Sequence, residues 1–351
     1  MAQALRLAER GLNSTTPNPR VGCIITNAAC EIVGEGFHVK AGEAHAEINA
    51  LKAAGDLAKG ATVYVTLEPC AHQGKTGPCA EALVSAGVSR VVYAMEDPNP
   101  EVAGAGLECL RNAGIQIDGP VLEDSARQLN AGFIKRMTQG LPFVRCKMAT
   151  SIDGRTAMAS GESKWITGPD ARVDAQKLRA RSCAIITGVE SVIHDDPALT
   201  VRLENEDRQP LRIVLDTQGR CPKKADILNQ PGHTVIVMGE SSNVKNEDRT
   251  VWHLPEKQGR INLRALLKRL ADEGCNEVLV ETGATLAGAF VAEGLVDEFV
   301  VYMAPMLMGS SARPLFDLPI DKMSGQLPLN IQDIRAIGAD WRIIATPDPV
   351  G

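Results

Sequence analysis

His45-Ala46-Glu47, followed by Pro69-Cys70 and then by Cys79, is the stretch on which the reading of the chain turns. One imidazole and two thiolates fill three positions of a tetrahedral zinc ion and leave the fourth to water. Water bound there has its pKa lowered to roughly 7, so hydroxide exists at neutral pH. A carboxylate that is not itself a ligand must then carry protons from the water to a leaving group, and Glu47 fits that role. In mid-helix Glu47 would lie about 200° round from His45. At a helix start, where the backbone is not yet regular, both face one cleft.

A His-x-Glu followed by Pro-Cys and a second cysteine is the signature of a zinc-dependent hydrolytic deaminase. The usual second half is Pro-Cys-x-x-Cys, whereas eight residues separate Cys70 from Cys79 here. The insert, residues 71–78, holds two glycines and a proline and reads as a loop. His72 within it is a competing ligand. A purely structural zinc site and a metal-free buried cluster are the alternatives. A closed site wants a fourth ligand, and Glu47 beside an open position favours catalysis.

Composition narrows the class. A chain of 351 residues suggests two domains. Hydrophobic residues at 44% and charged residues at 23% are those of a soluble globular protein. A net charge of −6 with 3% aromatics argues against a nucleic-acid reader, which shows a basic face and stacking aromatics. The nine cysteines form no disulfide-style framework; most read as inert core thiols in a reducing cytoplasm. No signal peptide opens the chain and no apolar run reaches membrane-spanning length, so neither export nor a membrane is expected.

Along the chain, residues 2–10 read as a helix and 21–26 with 31–37 as a hairpin. Helix 44–54 carries His45 and Glu47 at its start. Strand 62–66 leads to Cys70, and helix 79–86 begins at Cys79. Strand 89–95 ends in the loop Asp97-Pro98-Asn99-Pro100, at the edge where open α/β sheets bind ligands. Helix 107–113, strand 115–117 and one longer helix, 123–137, complete an αβα sandwich by about residue 138. Gln139-Gly140-Leu141-Pro142 is the domain boundary, which gives domains over residues 1–140 and 141–351. In the second half, strands are expected at 143–149, 183–187, 211–215, 234–238, 277–280 and 298–304. A helix is expected at 261–273, and residues 205–210 and 240–250 read as loops.

Two glycine turns in that half follow apolar strands and open helices: Thr187-Gly188-Val189-Glu190-Ser191, and Glu281-Thr282-Gly283-Ala284-Thr285-Leu286-Ala287-Gly288-Ala289. Such turns expose backbone N–H groups and the positive end of a helix dipole to a phosphate. Neither is Gly-x-Gly-x-x-Gly, so a Rossmann assignment is not supported. Ser151-Ile152-Asp153-Gly154-Arg155 reads as a turn and Asp195-Asp196-Pro197 as a helix stop. Lys147 on an apolar strand is unusual, since lysine is rarely buried without a partner. Arg179, Arg181 and Arg202 read either as an anion site or as solvated helix faces.

Together these stretches resemble the bifunctional riboflavin-biosynthesis deaminase–reductase family over essentially the whole chain. The likeness rests on Pro17-Asn18-Pro19-Arg20-Val21-Gly22, Gly42-Glu43-Ala44-His45-Ala46-Glu47 and Thr66-Leu67-Glu68-Pro69-Cys70. It continues through Asp97-Pro98-Asn99-Pro100, Ser151-Ile152-Asp153-Gly154-Arg155, Gly161-Glu162-Ser163-Lys164-Trp165-Ile166-Thr167 and Asp195-Asp196-Pro197-Ala198-Leu199-Thr200. The long interval between Cys70 and Cys79 is a feature of that family.

The resemblance implies an α/β protein with an N-terminal αβα sandwich of the cytidine-deaminase type, followed by a dihydrofolate-reductase-like α/β domain. It implies zinc on His45, Cys70 and Cys79, with Glu47 catalytic, and NADPH in the second domain. The implied reactions are deamination of 2,5-diamino-6-ribosylamino-4(3H)-pyrimidinone 5′-phosphate and then reduction of its ribosyl chain to ribityl. Asn18, His38, Lys75, Asp97 and Asn99 match the deaminase pocket. Ser163, Arg179, Leu199, Arg202 and Glu281 match the reductase substrate site. Ala149, Trp165, Ser191, Asp195, Thr217 and Gly283, Ala284, Thr285, Leu286, Ala287, Gly288 and Ala289 match the nicotinamide-cofactor site. Gln73 and Gly77 depart from the usual residues of the zinc loop. A homo-oligomer, dimer or tetramer, is expected, with an interface involving the C-terminal domain.

Overall fold

The computed structural model describes residues 1–71, 77–99, 103–204, 206, 208–242 and 249–348. The chain divides into two units, Met1–Leu141 and one beginning at Pro142.

The first unit runs α1 (Ala2–Glu9), β1 (Gly22–Thr26), β2 (Ile32–Phe37), α2 (Ala46–Ala54), β3 (Thr62–Val65), α3 (Cys79–Ser85), β4 (Arg90–Tyr93), α4 (Ala105–Asn112), β5 (Gln116–Asp118), α5 (Glu123–Leu129) and α6 (Ala131–Gln139). Its sheet has the order β2-β1-β3-β4-β5, with β1 antiparallel to both β2 and β3 and with β3, β4 and β5 parallel. All five residues of β1 are buried, because helices cover both faces. On one face Cys23 and Ile25 pack with Ala46, Ala50, Leu83 and Leu107; on the other Leu5, Ala94, Met95 and Ala126 pack together. Two glycines permit the close helix–strand contacts. A Cβ at Gly22 would lie 2.0 Å from the Ala4 carbonyl oxygen, and one at Gly36 would lie 2.3 Å from that of Ala46.

The single helix expected over 123–137 is two helices, broken at Asn130 (φ −110). The buried Asn130 side chain is the reason. Its Oδ1 accepts from the Arg20 backbone N–H at 2.8 Å and its Nδ2 donates to the Arg20 carbonyl at 3.0 Å. A side chain that pairs with distant backbone competes with helix continuation.

The second unit comprises β6 (Phe143–Ser151), β7 (Arg155–Ala157), α7 (Pro169–Arg181), β8 (Ala184–Gly188), α8 (Val189–Asp195), β9 (Leu211–Leu215), α9 (Asp226–Asn229), β10 (Thr234–Gly239), β11 (Thr250–Leu254), β12 (Glu256–Lys257), β13 (Arg260–Ile261), α10 (Leu263–Asp272), β14 (Glu277–Val280), α11 (Ala284–Ala292), β15 (Glu298–Ala304), β16 (Arg313–Pro314), β17 (Leu329–Ile337) and β18 (Asp340–Pro347). Nine strands form one sheet in the order β11-β10-β9-β8-β14-β6-β15-β18-β17. The run from β11 to β15 is parallel, and β18 and β17 add an antiparallel edge. Ile185, Ile186, Ile213, Val237 and Leu279 are 0% exposed, as expected of parallel strands covered on both faces.

Two sequence expectations shift here, and two elements carried no expectation. The helix expected over 261–273 starts at Leu263, because the Asn262 side chain caps it by accepting from the Ala265 N–H at 3.1 Å and Ile261 belongs to β13. Thr250, expected in a loop, opens β11. Helix α7 and the β17–β18 hairpin carry weak sequence patterns. The buried face of α7 is Ala171, Asp174, Ala175, Gln176 and Ala180, with no apolar stripe. Asp174 is satisfied instead by the Tyr302 hydroxyl at 2.9 Å and Arg342 at 2.8 Å.

Candidate functional sites

The first site lies where α2, α3 and the segment after β3 converge. His45 is the N-cap of α2, with extended backbone (φ −71, ψ 164), and Glu47 follows in the first helical turn. The extended cap removes the 200° objection: histidine and glutamate turn to one side because only the latter is inside the helix. Cys79 is the first residue of α3. Cys70 is tied to it, since the Cys79 N–H points to Cys70 Sγ at 3.4 Å and the Ala80 N–H donates to the Cys70 carbonyl at 3.1 Å. His45 Nδ1 stands 3.2 Å from Cys79 Sγ and 3.6 Å from Cys70 Sγ. All three ligand atoms lie within 4.8 Å of one another. Tetrahedral zinc, with bonds of about 2.0–2.3 Å, spaces its ligands by roughly 3.5–3.8 Å, so the cluster fits such an ion.

The electrostatics agree. A hydrogen bond from the Cys79 thiol, opposed by burial and aided by His45, draws Cys70 down to about 4. The same contact and burial push Cys79 up. The pair thus favours a thiolate at Cys70 beside a thiol at Cys79, and sulfur charge is available to a cation placed between them. Burial, with the Cys70 thiolate adding to it, raises Glu47 to about 7.

Asn18 and His38 form the next layer. The Asn18 side-chain amide donates to His38 Nε2 at 3.0 Å, so the Nδ1 proton points to the Ala44 carbonyl at 3.2 Å. Burial lowers the His38 pKa and keeps the ring neutral. The ring packs edge-on to His45, with centroids 5.4 Å apart. Asp97 and Asn99 follow β4, and the Asn99 N–H donates to Asp97 Oδ1 at 2.9 Å. Lys75, His72 and Gln73 lie outside the described residues. Of the cysteines expected in the core, Cys30 is exposed and Cys109 half-buried; Cys23, Cys146, Cys183, Cys221 and Cys275 are buried.

The second site is a cleft of about 1400 Å³ over the carboxyl ends of β6, β8, β9 and β14. Ser163, Arg179, Leu199, Arg202 and Glu281 all line it. So do Ala149, Trp165, Ser191, Asp195 and Thr217, and so do Gly283, Ala284, Thr285, Leu286 and Ala289. Ala287 and Gly288 do not. Ala287 is 0% exposed, and a Cβ at Gly288 would lie 2.2 Å from the Asp317 carbonyl oxygen. They sit on the face of α11 that packs into the domain. Gly288 is therefore a packing glycine, and Gly283, with open space where a Cβ would stand, is the one free to meet a ligand.

A charge cluster floors the cleft. Arg179 grips Glu281 with two hydrogen bonds, 2.6 and 2.9 Å, and donates to the Thr200 carbonyl at 3.1 Å. Lys147 Nζ is 3.8 Å from Glu281. Burial would raise Glu281, but Arg179, Lys147 and Arg202 hold it at about 2. Arg179 and Arg181 are thus ion-paired, Arg181 to Glu277 at 3.0 Å, and not solvated helix faces. At the rim Ser163 donates to Asp195 at 2.8 Å, and Arg172 stacks 4.6 Å over the exposed Trp165 ring. Asp196 and Leu199 adopt left-handed backbone, φ 42 and φ 48, a strained conformation that concentrates at functional sites. Lys147 and Gln176, which accepts from the Arg202 N–H at 3.0 Å, are cleft residues that carried no sequence assignment. A lysine in an apolar strand was the available signal for the former; nothing in the pattern of α7 marked the latter.

Comparison with known proteins matches each unit. Residues 1–95 match the cytidine and deoxycytidylate deaminase zinc-binding region, and residues 142–343 match the RibD C-terminal domain. The riboflavin biosynthesis protein RibD of Escherichia coli is 49% identical over 97% of this chain and 96% of its own length. The solved structure of Acinetobacter baumannii RibD superposes with a TM-score of 0.92 at 47% identity, covering 99% of this chain and 97% of that one. A diaminohydroxyphosphoribosylaminopyrimidine deaminase/5-amino-6-(5-phosphoribosylamino)uracil reductase from Thermotoga maritima does so with a TM-score of 0.91 at 30% identity, covering 99% and 97%.

Proposed function

The chain belongs to the RibD family of bifunctional riboflavin-biosynthesis enzymes, a zinc deaminase and a reductase in one polypeptide, and on that premise we propose which residues carry each reaction. The deaminase is assigned to residues 1–140 and the reductase to residues 141–351. The carrying observation is the convergence of His45 Nδ1, Cys70 Sγ and Cys79 Sγ with a buried Glu47 beside them.

The deaminase substrate is the 2,5-diaminopyrimidinone ribosylamine phosphate. His45, Cys70 and Cys79 hold zinc, which when bound supplies Lewis acidity beside the carbon under attack. Glu47 carries one proton of the attacking water to the ring nitrogen beside C2 and then the hydroxyl proton of the resulting adduct to the 2-amino group, so the amine leaves as ammonia and a C2 carbonyl forms. A carboxyl near 7 accepts and releases a proton at neutral pH with little penalty. Neutral His38, Asn18, Asp97 and Asn99 orient the base, and Lys75 completes the pocket.

In the reductase the product enters the cleft. Arg179, Arg202 and Lys147 offer positive charge to it, and Ser163, Leu199 and Glu281 shape the site. The glycine turns at Gly188 and Gly283 would hold NADPH, which would supply the hydride. Gly283 is the N-cap of α11, so the first N–H groups of that helix face the cleft as an anion site. Ala149, Trp165, Ser191, Asp195 and Thr217 line the remainder.

The enzyme is further assigned to the cytoplasm and to a homo-oligomer acting on small molecules. No helix is long and apolar enough to cross a membrane among the described residues. Ile331 and Ile334, 60% and 53% exposed on β17, support a self-association face. The deciding experiment incubates the protein with the diaminopyrimidinone phosphate, with and without NADPH, and identifies products by mass. Without NADPH the deaminated ribosylaminouracil phosphate accumulates; with it the ribitylaminouracil phosphate does. Failure of the first conversion by zinc-loaded protein removes the deaminase assignment.

A further inference from the structure

Glu68 is 3% exposed, and no cation pairs with it among the described residues. Its charge is met by backbone alone. Oε2 accepts from the N–H groups of Asp97 at 3.2 Å and Gly104 at 3.0 Å; Oε1 accepts from those of Gly106 at 2.9 Å and Leu107 at 3.3 Å. Gly104 is the N-cap of α4, and Gly106 and Leu107 lie in its first turn, where N–H groups have no partner within the helix and the dipole favours an anion.

A local Ser or Asp would cap a helix as well. This cap comes from far upstream, two residues before the ligand Cys70, and it does more than close a helix. It also holds the N–H of Asp97, whose own carboxylate takes the N–H of Asn99 at 2.9 Å. The Glu68 N–H donates to the Met95 carbonyl at 2.9 Å, which locks the base of the side chain to the end of β4. Helix α4 in turn rests on the peptide just ahead of Cys70, since a Cβ at Gly106 would lie 1.8 Å from the Pro69 carbonyl oxygen. The metal-ligand segment, the Asp97–Asn99 turn and the start of α4 are thereby joined through one carboxylate.

We propose that Glu68 is a positioning residue for the deaminase reaction: it sets where Asp97 and Asn99 stand relative to the ligand Cys70. This rests on the deaminase assignment above. Glu68→Gln keeps the volume but offers one oxygen in place of two, and its amide hydrogens face backbone donors. The variant is expected to retain full zinc and reduction of supplied ribosylaminouracil phosphate. Its KM for the diaminopyrimidinone phosphate is expected to rise about ten- to a hundredfold, with kcat changing less, because displaced binding groups lose contacts shared by the ground and transition states. Amide hydrogen exchange at Asp97, Gly104, Gly106 and Leu107 should accelerate. Unchanged KM beside accelerated exchange would reduce Glu68 to a helix cap and overturn the proposal; unchanged exchange would overturn it as well. If Glu68→Gln does not fold, Gly106→Ala, which pushes α4 off the Pro69 carbonyl with the carboxylate intact, reads the same coupling, and an unchanged KM in that folded variant also overturns it. Zinc-loaded wild type that fails to deaminate the substrate removes the deaminase assignment and this role with it. A wild type that deaminates, beside a variant with unaltered KM, removes the positioning role alone.

Discussion

Glu47 is buried and Glu281 largely so, each faces a candidate site, and their pKa values are shifted in opposite directions. Glu47 lies among thiols at the start of a helix, and burial carries it up to about 7. Glu281 lies against Arg179 and Lys147 and is held at about 2. The first is poised to exchange a proton at neutral pH; the second is a fixed anion that orders two cations at the floor of a cleft. Identical side chains are thus set up for proton transfer in one domain, on the role proposed for Glu47, and for electrostatic organisation in the other, and the partner set decides which.

The strongest test of that contrast removes the metal. Cys79→Ser should lose zinc and deamination together, while reduction of supplied ribosylaminouracil phosphate persists; stoichiometric zinc in this variant, measured by elemental analysis, would transfer the ligand role to His72. Next in size, Glu47→Gln should keep zinc and lower deamination by roughly 10²–10⁴-fold, the usual contribution of general acid–base catalysis. Turnover near wild type, with zinc bound, removes Glu47 as the proton carrier. Loss of reduction as well would mean that the two chemistries share a site.

Glu281→Gln should act in the other domain. It strands Arg179, whose side chain is 13% exposed, and breaking a buried pair costs on the order of 3 kcal/mol. Deaminated intermediate should accumulate in the presence of NADPH, and the second unit should melt earlier by calorimetry. An unshifted melting transition would show that the pair contributes little.

The opposite shifts predict opposite pH dependence. Glu47 has a folded value of about 7, above its ordinary 4.5, so its contribution to metal-free stability is complete below about 4.5 and lost as pH rises through about 7. Glu281, at about 2 against the same 4.5, contributes fully above about 4.5 and loses that contribution as pH falls through about 2. Melting curves of metal-free wild type and Glu47→Gln should therefore diverge most above pH 7, where wild type is the less stable. Parallel curves across that range would contradict the burial of the Glu47 carboxyl.

The smallest expected effect separates the two glycines of the cofactor turn. Gly283→Val should fold normally, there being open space at its Cβ position, and weaken NADPH by about tenfold, or 1.4 kcal/mol. Gly288→Val should instead destabilise the domain through the Asp317 contact. NADPH titrations monitored by fluorescence read the first, and thermal melts the second.

The zinc site was legible because its residues are few, chemically distinctive and fixed by spacing near helix starts. The sheet strands were legible for a related reason: they hold apolar runs such as Ile213 to Leu215, which suit strands covered on both faces. The break at Asn130 was not, because a side-chain amide pairing with Arg20, more than a hundred residues away, leaves no local mark. Nor was α7, whose buried Asp174 and Gln176 are paid for by partners on distant strands and loops.

Sequence by itself singled out His45, Cys70 and Cys79 as the candidate ligand set, Glu47 as the candidate proton carrier, and the alternation of strands and helices, because ligand chemistry and hydrophobic periodicity act over short stretches. Tertiary structure alone decided that Glu281 is an anion clamped by Arg179, that Gly288 packs against Asp317 while Gly283 stays open, and that Glu68 joins the Cys70 segment to the Asp97–Asn99 turn. Each of those depends on which distant groups are brought within a few ångströms, and the strength of a charge or a hydrogen bond in a protein interior is set by those neighbours.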